Sequence, residues 1–275
     1  MPVHLVDASP YIFRAFHTLP ETIRDPEGRP TNAVHGFLDF LLKLIREEDV
    51  THVAVCFDFD LVKSYRQAIF PDYKANRPAP PAPLVSQLGI CREAAEAVGA
   101  RTFVADGYEA DDLIATLLKR LRSPAVIVTG DKDLAQLVTD DVTLLDYARD
   151  ARYGPAEVRD KFGVRPDQVA DLLALAGDAV DNVPGVKGVG RKTAANLLQR
   201  FAHVEEIDWG GLRGPAAAGR DAALLSKRLT VLAYDAPVSA TLEDLRYRGA
   251  DPAAVDAFLK RLGSERLRAR IPLRA

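Results

Sequence analysis

Three short runs rich in Val, Ile and Phe, each ending in aspartate, constrain this chain most: Val3–Asp7, Val53–Asp58 and Ala125–Asp131. Each is apolar on both faces and bounded by polar residues, the pattern of a strand buried on two sides in a parallel sheet. Helical periodicity lies between and after them, over Ala33–Glu48, Leu84–Val98 and Asp111–Leu121. Strands alternating with helices predict an α/β fold, a mostly parallel central sheet flanked by helices. Such sheets bind ligands beyond the carboxyl ends of their strands, where all three aspartates fall.

Past about Pro155 the strand pattern fades. Helices are predicted at Pro155–Phe162, Pro166–Ala176, Lys192–Phe201 and Pro252–Leu262, several opening on proline. The expected organisation is a sheet domain over residues 1–165 and a C-terminal helical subdomain over residues 166–275. Apolar residues make up 48% of the 275, enough to bury the core of one large domain with a satellite. The longest apolar runs are strand-sized, so no transmembrane helix is expected, and the N-terminus lacks the features of a signal peptide. Cys56 and Cys91 form neither a disulfide framework nor a zinc motif, which makes a cytoplasmic location the expectation.

A net charge of −3 argues by itself against a nucleic-acid partner. The charge is segregated, however. Lys63, Arg66, Lys74 and Arg77 stand against Asp72 alone, and Lys187, Arg191, Lys192 and Arg200 face no acid between residues 185 and 200. The tail from Lys260 is also basic. Any one such run is otherwise a solvated helix face. The stretch from Arg77 to Pro83 is proline-rich, as linkers and exposed loops are.

Nine acids mark the ends of the predicted elements: Asp7, Asp58, Glu109, Asp111, Asp112, Asp131, Asp133, Asp178 and Asp181. Side-chain alternation puts Asp131 and Asp133 on one side of an extended segment. Glu109 and Asp112 are one helical turn apart, as are Asp178 and Asp181 if that segment is helical. Singly, an aspartate after a strand is a turn former or a helix cap, and acids in a first helical turn suit the dipole. Jointly, several strands and two helix starts would aim acids at one sheet edge. Carboxylates crowded in this way raise one another's pKa values, and divalent cations relieve the conflict. Oxygen ligands without Cys or His spacing favour Mg²⁺ or Mn²⁺ over zinc, and nine acids suggest two ions. Two ions roughly 4 Å apart suit in-line displacement at a phosphodiester. The five histidines, His4, His17, His35, His52 and His203, are scattered and support no competing nucleophilic arrangement.

The glycine-rich segment from Pro184 to Ala194 admits three explanations. A phosphate-binding P-loop is interrupted by Arg191 and lacks a preceding strand. A helix–hairpin–helix near residues 184–201 fits better, with Gly188-Val189-Gly190 as the tight turn. There Gly185, Gly188 and Gly190 let the backbone approach a phosphate, and amides at the next helix start bind it. Lys187, Arg191, Lys192 and Thr193 would add contacts that position DNA without reading its sequence. A plain helix–helix turn is the third explanation.

LVDAS, CFD, the block containing Arg66, Tyr73, Lys74, Arg77 and Pro78, EADD, TGDKD, GDAVDN and PGVKGVGRKTA occur in the order found in the 5′-nuclease family. From about Val3 to Phe201 the chain resembles the 5′–3′ exonuclease domain of bacterial DNA polymerase I and its stand-alone flap-endonuclease relatives. The resemblance implies a PIN-like 5′-nuclease fold with a helical arch near residues 61–88 that the 5′ strand threads. It implies a first metal ion at Asp7, Asp58, Glu109, Asp111 and Asp112, and a second at Asp131, Asp133, Asp178 and Asp181. It also implies a catalytic role for Arg66, Lys74 and Arg77 in steering the scissile phosphate, a DNA contact at Tyr73, and a K⁺ ion held by the hairpin carbonyls. Two features depart from the family pattern. Ala8 follows Asp7 where glycine is usual, and the run from Pro78 to Pro83 would stiffen the base of the arch.

The expected activity is therefore divalent-metal-dependent 5′–3′ exonuclease and structure-specific flap endonuclease cleavage. The expected partner is DNA bearing a 5′ flap, nick or free 5′ end, bound by a monomer away from membranes. No polymerase sequence follows, which implies a stand-alone enzyme. The alternatives are a non-catalytic DNA-junction binder, disfavoured by the complete carboxylate set, and a related ribonuclease, disfavoured by the hairpin and the basic block.

Overall fold

The computed structural model describes residues 1–58 and 63–274. In chain order the described strands are β1 (Val3–Asp7), β2 (Val53–Cys56), β3 (Arg101–Phe103), β4 (Ala125–Val128), β5 (Val142–Asp146) and β6 (Ala151–Tyr153). The α-helices are α1 (Ser9–Thr18), α2 (Asn32–Glu47), α3 (Arg66–Ile69), α4 (Ala82–Ala97), α5 (Ala110–Leu121), α6 (Pro155–Phe162), α7 (Val169–Ala176), α8 (Arg191–Leu198), α9 (Arg220–Thr230) and α10 (Pro252–Leu262). These elements divide between two compact units that alternate along the chain. One comprises residues 1–59, 80–130 and 234–275, the other residues 60–79 and 131–233.

In the first unit β3, β2, β1 and β4 lie side by side in that order, all parallel. Every residue of β1, β2 and β4 is buried, as expected of strands covered on both faces. The chain runs outward from β1 through β2 to β3 and then returns to β4 on the other side of β1. That reversal is a topological switch point, where such sheets open a crevice at the carboxyl ends of their strands. Asp7 closes β1 at this point. Register is explicit: Asp7 pairs with Cys56, and Val6 pairs with Val128.

Helix α2 buries Phe37, Leu38, Leu41 and Leu44 completely, and truncating any one of them would cost about 2–5 kcal/mol. It crosses α1 closely because Gly36 has no side chain: a Cβ there would lie 2.5 Å from that of Ala15. Tyr11 stacks on Phe40 at the same crossing, with ring centroids 3.8 Å apart. This packing fixes α1, which leaves directly from the carboxyl end of β1.

The second unit contains the antiparallel hairpin β5–β6 and helices α3 and α6 to α9, with α7 packed on both α8 and α9.

The predicted elements Val3–Asp7, Pro155–Phe162 and Pro252–Leu262 coincide with β1, α6 and α10. The strands β2 and β4 stop short, at Cys56 and Val128, because the chain leaves the sheet there to present Asp58 and Asp131. The predicted helix from Pro166 opens as a 3-10 turn, Pro166–Gln168, before α7. Pro81 caps α4 and Pro83 occupies its first turn, so the proline run ends as a helix start. Of the arch expected near residues 61–88, residues 61 and 62 lie outside the described residues. Among the described residues no helix is long and apolar enough to cross a membrane.

Candidate active site

The nine acids fall into two groups that follow the two compact units. The first unit carries Asp7, Asp58, Glu109, Asp111 and Asp112, and the second carries Asp131, Asp133, Asp178 and Asp181.

In the first unit Asp7 is buried, and its Oδ2 accepts from the Thr129 hydroxyl at 2.8 Å. Asp58, two residues past β2, accepts from the Ser9 hydroxyl on one oxygen. Its other oxygen accepts from the Ala110 amide, 2.8 Å away, at the start of α5. Glu109 caps α5, and its own amide donates to Asp112 Oδ2 at 3.3 Å. Glu109 and Asp112 are buried, while Asp111 accepts from the Asp112 amide at 2.7 Å. Three acids in or beside the first turn suit the positive end of the helix dipole and bring negative charge toward Asp58. Burial, and then the negative charges of Asp7 and Asp58, push the Cys56 thiol well up, which keeps it inert.

In the second unit Asp131 Oδ1 accepts from the Asp133 amide at 2.9 Å, a turn that starts the 3-10 helix Asp133–Leu137. Asp178 and Asp181 are not on a helix. Helix α7 ends at Ala176, and the loop after it is closed by reciprocal bonds between Asp178 and Val183, of 3.0 and 2.8 Å. The loop is drawn tight by two glycines in contact. A Cβ on Gly185 would lie 2.3 Å from the Gly177 nitrogen, and both residues have positive φ.

Burial opposes charge on Asp178, but the Lys132 ammonium at 2.6 Å and the Val180 amide hold its carboxyl below the ordinary range. Asp133 goes the other way. Burial, and next the charge of Asp131, push its carboxyl well above the ordinary range. Its Oδ1 is buried without a hydrogen-bond partner, and the nearest cation, Lys132 Nζ, is 3.6 Å away.

The basic block meets this group within the same unit. Asp181 pairs with Arg77 and accepts from the Tyr73 hydroxyl at 3.3 Å, with Lys74 Nζ 3.8 Å away. The Lys74 amide donates to the Asp181 carbonyl at 3.0 Å, and Lys74 sits at φ +57°, a conformation that the contact holds in place. Arg66 is placed differently. Its side chain is 1% exposed, donates from Nε to the Leu229 carbonyl at 2.9 Å, and lies over the Tyr65 ring. Its guanidinium therefore caps the C-terminal end of α9 and anchors the block.

The expected hairpin is helix α7, a connection through residues 177–190 and helix α8. The Val189 amide closes a turn onto the Val186 carbonyl at 3.0 Å. Gly188, Gly190, Lys187, Arg191, Lys192 and Thr193 are exposed, and Gly190 caps α8 without a side-chain hydrogen bond. Gly185 is buried in the contact with Gly177, so its missing side chain serves the loop itself.

Among the described residues no three carboxylates already form a coordination shell. The donor chemistry nevertheless fits hard divalent cations: every ligand candidate is a carboxylate oxygen, and Asp133 offers a buried oxygen that accepts no hydrogen bond. Sequence inspection misses three supporting residues, Ser9, Thr129 and Lys132. All three lie inside recognised motifs and look like ordinary turn residues; strand register brings Thr129 to Asp7, while Lys132 reaches Asp178 from the loop after β4.

Residues 2–163 match the family of the 5′-3′ exonuclease N-terminal resolvase-like domain, and residues 164–253 that of the 5′-3′ exonuclease C-terminal SAM fold. The chain is 40% identical to DNA polymerase I of Rhizobium leguminosarum across 93% of its own length, which is 27% of that protein. It thus spans about a quarter to a third of the polymerases it matches. It is 38% identical to a 5′-3′ exonuclease of Aquifex aeolicus, across 90% of this chain and 88% of that one. The fold is shared with the flap endonuclease of bacteriophage T5, solved with DNA and metal ions, at a TM-score of 0.72 and 22% identity over 84% of this chain and 89% of that chain. With both family segments matched in order over most of its length, the chain belongs to the 5′-3′ exonuclease family.

Proposed function

We propose that this chain is a divalent-metal-dependent nuclease that hydrolyses DNA phosphodiesters at 5′ flaps, nicks and free 5′ ends. The observation that carries this proposal is the buried Asp133 carboxylate oxygen, which accepts no hydrogen bond, within a four-acid group on a chain whose family is that of 5′-3′ exonucleases. Membership of that family, and the DNA and metal ions bound to the T5 flap endonuclease, support the same assignment.

Asp7, Asp58, Glu109, Asp111 and Asp112 would hold one Mg²⁺ or Mn²⁺ ion, and Asp131, Asp133, Asp178 and Asp181 a second. Such ions, when bound, supply a nucleophile at neutral pH and stabilise charge on phosphate oxygens. Lys74 and Arg77 stabilise the phosphate directly; Tyr73, expected as a DNA contact, is 3% exposed with its hydroxyl on Asp181 and braces that block instead. Arg66 holds that block in place from its buried position. The exposed residues Lys187, Gly188, Gly190, Arg191, Lys192 and Thr193 bind backbone phosphates, and carbonyls of the same hairpin hold K⁺. The chain acts as a monomer in the cytoplasm, with residues 1–165 as its nuclease domain and residues 166–275 as its DNA-binding subdomain.

A gel with 5′-flap, gapped, blunt and RNA substrates, with and without Mg²⁺, tests this. Cleavage of flap DNA only with Mg²⁺ is expected. Preferential cutting of RNA would make the chain a ribonuclease, and binding without cutting would make it a junction binder.

A further inference from the structure

A hydroxyl lies beside a carboxylate at each of two neighbouring strand ends. Val6 pairs with Val128, so one residue further on, just past the end of β4, Asp7 faces Thr129. The Thr129 hydroxyl, 2% exposed, donates to Asp7 Oδ2 at 2.8 Å. On the other side Asp7 pairs with Cys56 and the Ala8 amide donates to the Cys56 carbonyl at 3.0 Å, so α1 starts, at Ser9, beside the segment that carries Asp58. The Ser9 hydroxyl donates to Asp58 Oδ2, and the Ala110 amide donates to Oδ1 at 2.8 Å.

The terminal torsion of an aspartate is broad, so a free carboxylate rotates readily. A hydroxyl donating to one oxygen fixes the carboxylate plane and leaves lone pairs on fixed bearings. Ser9 stands at the first turn of α1, which the α1–α2 packing holds, and Thr129 is fixed by its place at the end of β4. One donor therefore sits in a packed helix, and the other directly follows a buried strand.

We propose that Ser9 and Thr129 are positioning residues, whose hydroxyls aim Asp58 and Asp7 at a divalent cation and set its affinity. This rests on the assignment of those two aspartates as cation ligands. Residues that orient ligating carboxylates typically change cation affinity by roughly 10- to 100-fold. The loss should appear in cation binding itself, without DNA, and in the Mg²⁺ concentration needed for half-maximal cleavage. The rate at saturating Mg²⁺ should change much less.

The test titrates Mn²⁺ into the full chain without DNA, by calorimetry and by Mn²⁺ electron paramagnetic resonance. Ser9→Ala, Thr129→Val, the hydroxyl-keeping Ser9→Thr and Thr129→Ser, and Asp58→Asn are compared with the wild type. Circular dichroism checks that each variant is folded. The expected result is about 10- to 100-fold weaker Mn²⁺ binding in Ser9→Ala and Thr129→Val, with recovery in Thr129→Ser. Should Thr129→Val fail to fold, Ser9→Ala and Ser9→Thr decide alone. Wild-type affinity in Ser9→Ala beside lost affinity in Asp58→Asn would overturn the proposal and leave the ligand assignment standing. Wild-type affinity in Asp58→Asn would overturn the ligand assignment and the proposal together.

Discussion

The Lys132 ammonium lies 2.6 Å from a carboxylate oxygen of Asp178, and so supplies positive charge to an acidic group from within the same unit. The pairing has a measurable cost when broken. Lys132 is half-buried and Asp178 nearly fully buried, so Lys132→Met leaves a poorly hydrated carboxylate without its partner. Urea unfolding in chelator at pH 7 should show a loss of about 1–3 kcal/mol, a figure lowered for the partial exposure of Lys132. The sign with pH follows from Asp178, whose folded pKa is depressed. Its contribution is present above the unfolded value and lost as pH falls through the folded one. The gap between wild type and variant should therefore close below about pH 4.

Arg66 and Arg77 belong to one basic block but should respond differently to removal of charge. Arg66 is 1% exposed and satisfies the Leu229 carbonyl, whereas the Arg77 side chain is 39% exposed and pairs with Asp181. Arg66→Met should destabilise the chain by about 2–3 kcal/mol in urea unfolding, and Arg77→Met by less than about 1 kcal/mol. Equal effects would remove the anchoring role of Arg66.

That contrast also shows where sequence inspection stops. Strands with unbroken apolar runs, such as Val3–Asp7, are legible because burial on both faces leaves no room for polar residues. β3 is not, because Arg101 is exposed and Thr102 half-buried on a three-residue strand. The identity of the acids is legible from spacing, but their partners are not. The pairing of Ser9 with Asp58 depends on the register between β1 and β2, and the bond from Arg66 to Leu229 joins residues 163 apart. Helical spacing for Asp178 and Asp181 fails for a related reason: Gly177 ends α7, and the contact between Gly177 and Gly185, not helix periodicity, shapes the loop.

His35 gives the first unit an acid sensitivity of its own. Burial, and next the positive charge of Arg266, hold its imidazole below the ordinary value, with the Ser264 hydroxyl oxygen 3.0 Å from Nε2. The unfolded chain then takes up the proton more readily than the folded one. Stability from this residue is present above about pH 6.5 and lost as pH falls, by at most about 1.4 kcal/mol per pH unit. Urea midpoints at pH 7.5 and 5.0 should fall further apart in the wild type than in His35→Gln, and equal spacing would exclude the effect.

The central claim is that the acidic groups make this chain a metal-dependent nuclease. Its most direct test is cleavage of a labelled 5′-flap duplex by the wild type and by Asp131→Asn, in Mg²⁺ and in chelator, with DNA binding followed in parallel. Mg²⁺-dependent cutting by the wild type, abolished in Asp131→Asn while DNA binding is largely kept, is the predicted result. Undiminished cutting by Asp131→Asn, or cutting by the wild type in chelator, would contradict it.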